Sequence, residues 1–103
     1  MIFDVPKKSS RLGGIYQIVC TVTGDSYIGQ TYDFKYRYSD HGSLLSAGRH
    51  HNKRLQEAYV QHGSGNFVFS VLIIDNKKRR RELLESCIIR DTDPATTYNS
   101  RRY

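Results

Sequence analysis

The run Phe67-Val68-Phe69-Ser70-Val71-Leu72-Ile73-Ile74 limits the possible folds more than any other stretch of this chain. Seven of its eight residues are apolar, and most are β-branched or aromatic. A strand with one wet face alternates between apolar and polar residues; this run does not, so it predicts a strand covered on both faces. Gly65-Asn66 before it is a turn signal. A chain of 103 residues has room for one core of this kind, burying roughly 60% of the surface that the unfolded chain exposes. The sequence therefore reads as a single domain organised around this strand.

Two further strands are predicted upstream. Gly14 to Val22 (GIYQIVCTV) is rich in β-branched and aromatic residues, and Tyr27 to Thr31 continues after the turn signal Thr23-Gly24-Asp25-Ser26. Together they predict a β-hairpin, with Gly24 available for a positive-φ position. Asp33 is a candidate cap for a helix from Phe34 to about Ser46, with Phe34, Tyr38, Leu44 and Leu45 inward and Gly48 closing it. A second helix is expected from Asn52 to Gln61, its inner stripe Leu55, Ala58 and Tyr59, ending at His62-Gly63. A third, capped by Asp75 or Asn76, is expected from Lys77 to Arg90 with Leu83, Leu84, Cys87 and Ile88 inward. The order is β-β-α-α-β-α, an α+β fold with a three-stranded, mainly antiparallel sheet flanked by helices. Residues 1–12 read as a flexible basic arm, 13–100 as the domain and 101–103 as a basic tail.

Composition narrows the function. No run approaches the roughly 20 apolar residues of a membrane span. The N-terminus has an early Asp4 and no apolar core, so it is not a secretory signal. Cys20 and Cys87 lie far apart, neither in a C-x-x-C pair. Both are expected to be free thiols in apolar surroundings, which suits an intracellular, cytoplasmic protein. His41, His50, His51 and His62 lack the spacing of a structural zinc site. The formal net charge is +6, which suits a polyanionic partner such as nucleic acid.

If that partner is nucleic acid, several polar residues have the chemistry to act on its phosphodiester backbone, although on residue type alone each reads equally as an ordinary surface or strand residue. Hydrolysing a phosphodiester requires an activated water, a stabiliser of charge on the phosphoryl oxygens and assistance to the leaving group. Glu85 suits a hard divalent cation, Mg²⁺ or Mn²⁺, which takes one or two carboxylates and completes its shell with water and phosphate. Arg37 can fork onto a phosphate, and His41 follows one helical turn later on the same face. Asp40 beside His41 is unremarkable, because adjacent helical residues do not face each other. Tyr16 is a poor base at its reference pKa near 10, which a nearby cation would lower. Strand alternation places Tyr16 and Ile18 on one face and Ile15 on the other.

Gly14-Ile15-Tyr16 and Tyr27-Ile28-Gly29 stand on the two hairpin strands, separated by ten residues. With Arg37, His41, His50, Glu85 and the Tyr98-Asn99 pair following in order, the chain resembles the GIY-YIG nucleases over about residues 13–100. The resemblance implies that Tyr16 is the general base and that Tyr27 orients the site. It implies that Arg37 stabilises the transition state with His41 assisting, that Glu85 binds metal and that Asn99 holds the network by hydrogen bonding. Of the two adjacent histidines, the family register selects His50. Lys35, Arg49, His50, Lys53, Arg54, Lys77, Lys78 and Arg79 are the expected DNA-backbone contacts, positioning without reading sequence. Positive charge at the start of the third helix opposes the helix dipole, which favours a functional reason for the run Lys77 to Arg81.

These expectations describe a metal-dependent DNA endonuclease, associated with a phage or mobile element. It is either a stand-alone enzyme or the catalytic domain of a longer protein, and double-strand cleavage would require a dimer or two sequential events. The alternative is a basic nucleic-acid-binding module of the same fold without catalysis.

Overall fold

The computed structural model describes residues 1–99; the expected tail at 101–103 lies outside them. Four strands form one sheet: β1 (Ile2–Asp4), β2 (Gly14–Cys20), β3 (Ser26–Thr31) and β4 (Phe67–Ile74), in the order β1-β4-β2-β3. β2 pairs antiparallel with β3 and β4, whereas β1 runs parallel to β4. The apolar run is therefore an interior strand, but it is not covered on both faces throughout, since Leu72 and Ile74 are exposed. Gly24 turns the hairpin at φ 80°.

The fourth strand corrects the expected sheet of three. Residues 1–12 are not a loose arm: β1 pairs Ile2, Phe3 and Asp4 with Val68, Phe69 and Ser70, and a short 3-10 turn follows at Lys7–Ser9. Phe3 sets its ring against Tyr38 at 4.6 Å and Phe69 at 5.8 Å between centroids. The Tyr38 hydroxyl donates to the Met1 carbonyl at 2.6 Å. Three residues with one aromatic among them carry no periodic signal. The free edge of β4, which exists only once the fold has formed, makes them a strand.

Helix α1 (Phe34–Ser46) starts where expected: the Asp33 carboxylate accepts from the Tyr36 amide at 3.0 Å. In α2 (Lys53–His62) Asn52 is the cap and not the first helical residue, accepting from the Leu55 amide at 3.0 Å. One core joins both helices to the sheet, with Tyr16, Ile18, Cys20, Phe67 and Phe69 beneath Phe34, Leu45, Leu55 and Tyr59.

Helix α3 (Lys78–Asp91) packs against β3 and β2. Its inward side differs from the expected one. Arg81 is buried, Leu84, Glu85, Ile88 and Ile89 are half-buried, and Leu83 and Cys87 are exposed. The true stripe keeps i, i+3, i+4, i+7 spacing but contains two charged residues, so choosing apolar residues rotates the helix wrongly. Neither expected cap works as one. The cap position is Lys77; Asp75 accepts from the Lys77 amide, and the Asn76 side chain accepts from the Gly13 amide.

Truncating Phe3 tests whether β1 belongs to the fold. Phe3→Ala is expected to cost about 2 kcal/mol, below the range for a fully buried Phe because the ring is half-buried, and to lower the thermal midpoint by roughly 10 °C. An unchanged melting curve would return residues 1–5 to the status of an arm.

Candidate active site

The two glycine-bearing tripeptides meet across the hairpin. Tyr16 faces Gly29 in the antiparallel register. A Cβ on Gly29 would collide with the Tyr16 phenol, so the glycine leaves the space the ring fills. Gly14 has the same role against backbone: its Cβ would collide with the Ile73 carbonyl. On the other side of β2 the ladder with β4 slips between Ile15 and Tyr16, leaving Leu72 without an opposite number. Such bulges re-aim side chains beside functional sites. The Tyr16 ring stacks on Phe69, 4.6 Å between centroids and 15° between planes, and is 1% exposed.

A phenol buried this deeply needs partners for its oxygen, and α1 provides them. The Tyr16 Oη lies 2.6 Å from His41 Nε2 and accepts from Arg37 Nε at 3.3 Å. The spacing of Arg37 and His41 thus brings both to one atom of β2. Asp40, expected to be unremarkable, forms an ion pair with the Arg37 guanidinium at 2.7 Å. Three residues along the helix it lies on a neighbouring face, and the pair fixes which way the guanidinium fork turns.

Behind His41 lies a second imidazole. His41 Nδ1 is 2.7 Å from His50 Nε2, and the rings stack at 5.0 Å. His50 is 6% exposed, which corrects its expected place among the phosphate contacts: it is buried behind His41. His51, passed over in the sequence, is exposed and extends the stack, 4.5 Å from His50. Tyr27 sets the edge of its half-buried ring against all three imidazoles, at centroid distances of 5.4, 6.0 and 6.4 Å. Asn99 bonds the backbone of Ile28 twice, accepting from its amide at 2.7 Å and donating to its carbonyl at 2.9 Å. It thereby extends the free edge of β3 beside Tyr27.

The charges in this cleft are shifted together. Burial raises the Tyr16 pKa, the Tyr27 charge adds to the rise, and Arg37 opposes it. Burial likewise raises Tyr27 and Glu85, again opposed by Arg37. His41 is pushed down to about 3 and His50 to about 4, by burial first and then by neighbouring positive charge. Both rings are neutral at physiological pH.

Glu85 projects from α3 toward the same cleft, half-buried and near the Gln30 backbone amide. It makes no ion pair among the described residues, whereas Glu82 lies 4.0 Å from Lys78. No group of three or more His, Cys, Asp or Glu that could hold a metal occurs among the described residues. A half-buried carboxylate without a counter-ion fits a hard cation that keeps water and substrate oxygens in its shell.

Of the expected phosphate contacts, Lys35, Arg49, Lys53, Arg54, Lys77, Lys78 and Arg79 are exposed. The remaining cations of the 77–81 run have structural partners. Arg80 pairs with Asp75 at 2.9 Å, and the buried Arg81 donates to the Gln30 side chain at 3.0 Å.

Residues 12–99 match the model of the GIY-YIG catalytic domain. The chain belongs to the GIY-YIG family. It is 32% identical over 71 residues to intron-associated endonuclease 1 of Enterobacteria phage T4, covering 69% of this chain and 28% of that protein. It is 35% identical over 69 residues to probable intron-encoded endonuclease 1 of Neurospora crassa, covering 62% and 21% respectively. The chain thus spans less than a third of these relatives. Its fold superposes on the catalytic domain of homing endonuclease I-TevI with a TM-score of 0.79 and 29% identity, over 87% of this chain and 99% of that one. This GIY-YIG domain is accordingly of the nuclease class. No helix among the described residues is long and apolar enough to cross a membrane.

Two measurements probe the geometry. Gly29→Ala is expected to displace the Tyr16 ring and cost about 1–3 kcal/mol; unperturbed melting would mean that the ring does not cross Gly29. Stability should also fall with acid. Both imidazoles have folded pKa values below the unfolded value near 6.5, so the unfolded chain binds more protons as the pH drops below it. By pH 5 the loss should be on the order of 3 kcal/mol for the pair, read as a falling midpoint in thermal melts. A double His41→Gln, His50→Gln variant should lose that slope.

Proposed function

We propose that this GIY-YIG domain hydrolyses phosphodiester bonds in DNA with the help of a divalent cation, Mg²⁺ or Mn²⁺. The observation that carries the reading is the Tyr16 oxygen, held between Arg37 Nε and His41 Nε2 in a cleft that Glu85 also enters. Tyr16 takes the proton of the attacking water, Arg37 faces the phosphoryl oxygens, and Glu85 holds the cation. When bound, the cation supplies Lewis-acid polarisation of the phosphate. Tyr27 and His41 keep the Tyr16 ring in place, and Asn99 fixes the end of β3 that carries Tyr27. The exposed cations Lys35, Arg49, Lys53, Arg54, Lys77, Lys78 and Arg79 hold the DNA backbone, giving affinity without sequence readout. The relatives' names, an intron-associated and a probable intron-encoded endonuclease, support a setting in a phage or mobile element. A single site nicks one strand at a time.

Supercoiled plasmid with Mg²⁺ tests the reading. The parent should produce nicked circles, and Glu85→Ala should lose at least about a hundredfold in rate, as expected when one preorganised charge is removed from a transition state. Arg37→Ala should lose cleavage yet still retard DNA in a gel. If no divalent ion supports any nicking, the domain is a nucleic-acid-binding module and the enzymatic reading fails.

A further inference from the structure

We infer that the backbone amide of Asn52 fixes where the protons sit on His50 and His41, making His41 a permanent hydrogen-bond donor to Tyr16 and barring it from receiving the Tyr16 proton. What this does for cleavage rests on the nuclease reading; the proton order itself does not.

A backbone amide can only donate. The Asn52 amide donates to His50 Nδ1 at 3.0 Å, so that nitrogen carries a lone pair. A cationic His50 would need a proton there, pointing into the amide hydrogen, so the geometry excludes it. His50 is therefore neutral, with its proton on Nε2. That nitrogen lies 2.7 Å from His41 Nδ1, which must accept. A neutral His41 with a bare Nδ1 carries its proton on Nε2, and this proton points at the Tyr16 oxygen 2.6 Å away.

The Tyr16 oxygen thus receives two hydrogen bonds, from His41 Nε2–H and from Arg37 Nε–H. Both lone pairs are engaged, so its own O–H must point away from both donors. When Tyr16 ionises, the O–H bond breaks with its electron pair staying on oxygen, and the proton must pass to a water that enters the cleft, since neither donor can take it. The phenolate left behind is held by two donors and then takes a proton from the attacking water. His41 cannot serve as the acceptor: its Nε2 already has a proton, and its Nδ1 lone pair is occupied by His50.

Asn52 is rigid enough for this positioning role. Its side-chain oxygen caps α2 through the Leu55 amide at 3.0 Å, and its side-chain nitrogen donates to the Tyr98 carbonyl at 2.8 Å. Gln56 holds the other end of the segment, accepting from the His50 amide and donating to the Leu45 carbonyl, each at 3.0 Å. The first turn of α2 therefore clamps residues 50–52 and sets the angle at which the amide meets the ring.

Long-range proton–nitrogen correlation spectra of the imidazoles test the proton order directly, with His41→Gln and His50→Gln used only to assign signals. At pH 7.5 both His41 and His50 should appear as the neutral Nε2–H tautomer. An Nδ1–H tautomer on either ring, or a cationic His50, overturns the proposal. Cleavage provides a second readout. Gln at position 50 can donate a fixed hydrogen bond but cannot relay a proton, whereas Leu can do neither. In variants whose folding is confirmed by circular dichroism, His50→Gln should nick plasmid about tenfold faster than His50→Leu, the worth of one hydrogen bond. Equal rates would overturn the donor role of position 50, because a side chain that can donate would do no better than one that cannot. Should the parent not cut DNA at all, the nuclease reading fails while the tautomer result still decides the proton order.

Discussion

A hydroxyl shut away from water must find its partners inside the protein, and the Tyr16 phenol imposes that condition on the rest of this fold. Its ring is held flat on Phe69 and crosses the space that Gly29 leaves open. Its oxygen then emerges where only α1 can meet it, through Arg37 and His41. The angle at which α1 lies on the sheet, the need for glycine opposite the tyrosine and the burial of a histidine pair all follow. His41 could not be buried with an idle Nδ1, so His50 is buried with it, and the start of α2 satisfies His50 in turn. A chain of polar contacts thus runs from the second strand through two helices.

Much of this was legible in the sequence because it depends on local rules. The lack of alternation in Phe67–Ile74 placed that strand inside the sheet, and the cap at Asp33 marked where the first helix begins. The misses have a common physical origin. β1 is too short for any periodicity and becomes a strand only because β4 offers it an edge. The inward side of α3 includes Arg81 and Glu85, so a reading by hydrophobicity alone turns the helix about its axis. Tertiary contacts decided both cases, and such contacts leave no trace in spacing.

The site divides along the same line. Helical spacing puts Arg37 and His41 on one face, the family resemblance joins Tyr16 and Tyr27 to them, and the structure brings the four together. His50 was visible as a residue but not in its place, since a run of basic residues around a histidine looks like a surface. Asn52 and Gln56 were invisible as site residues. One acts through a main-chain amide, which every residue but proline possesses. The other acts through an amide side chain whose partners are backbone atoms of residues 45 and 50.

The electrostatics explain why so much structure surrounds one oxygen. In the free protein Tyr16, Tyr27 and Glu85 are all shifted away from ionisation by burial, and the Glu85 charge adds to the rise in both tyrosines. Three acids that hinder one another share one remedy, positive charge placed among them. Arg37 supplies part of it and opposes the shift in all three. Asp40 keeps Arg37 aimed, and the neutral histidines add donors without adding a charge that burial would penalise. A cationic His41 would stabilise a phenolate more strongly, but burying that cation beside Arg37 would cost more than it returned. A buried imidazole held neutral, with its proton fixed in direction, gives the phenol a hydrogen bond at the smallest electrostatic cost. The polar chain from Asn52 to Tyr16 is what holds that proton in place.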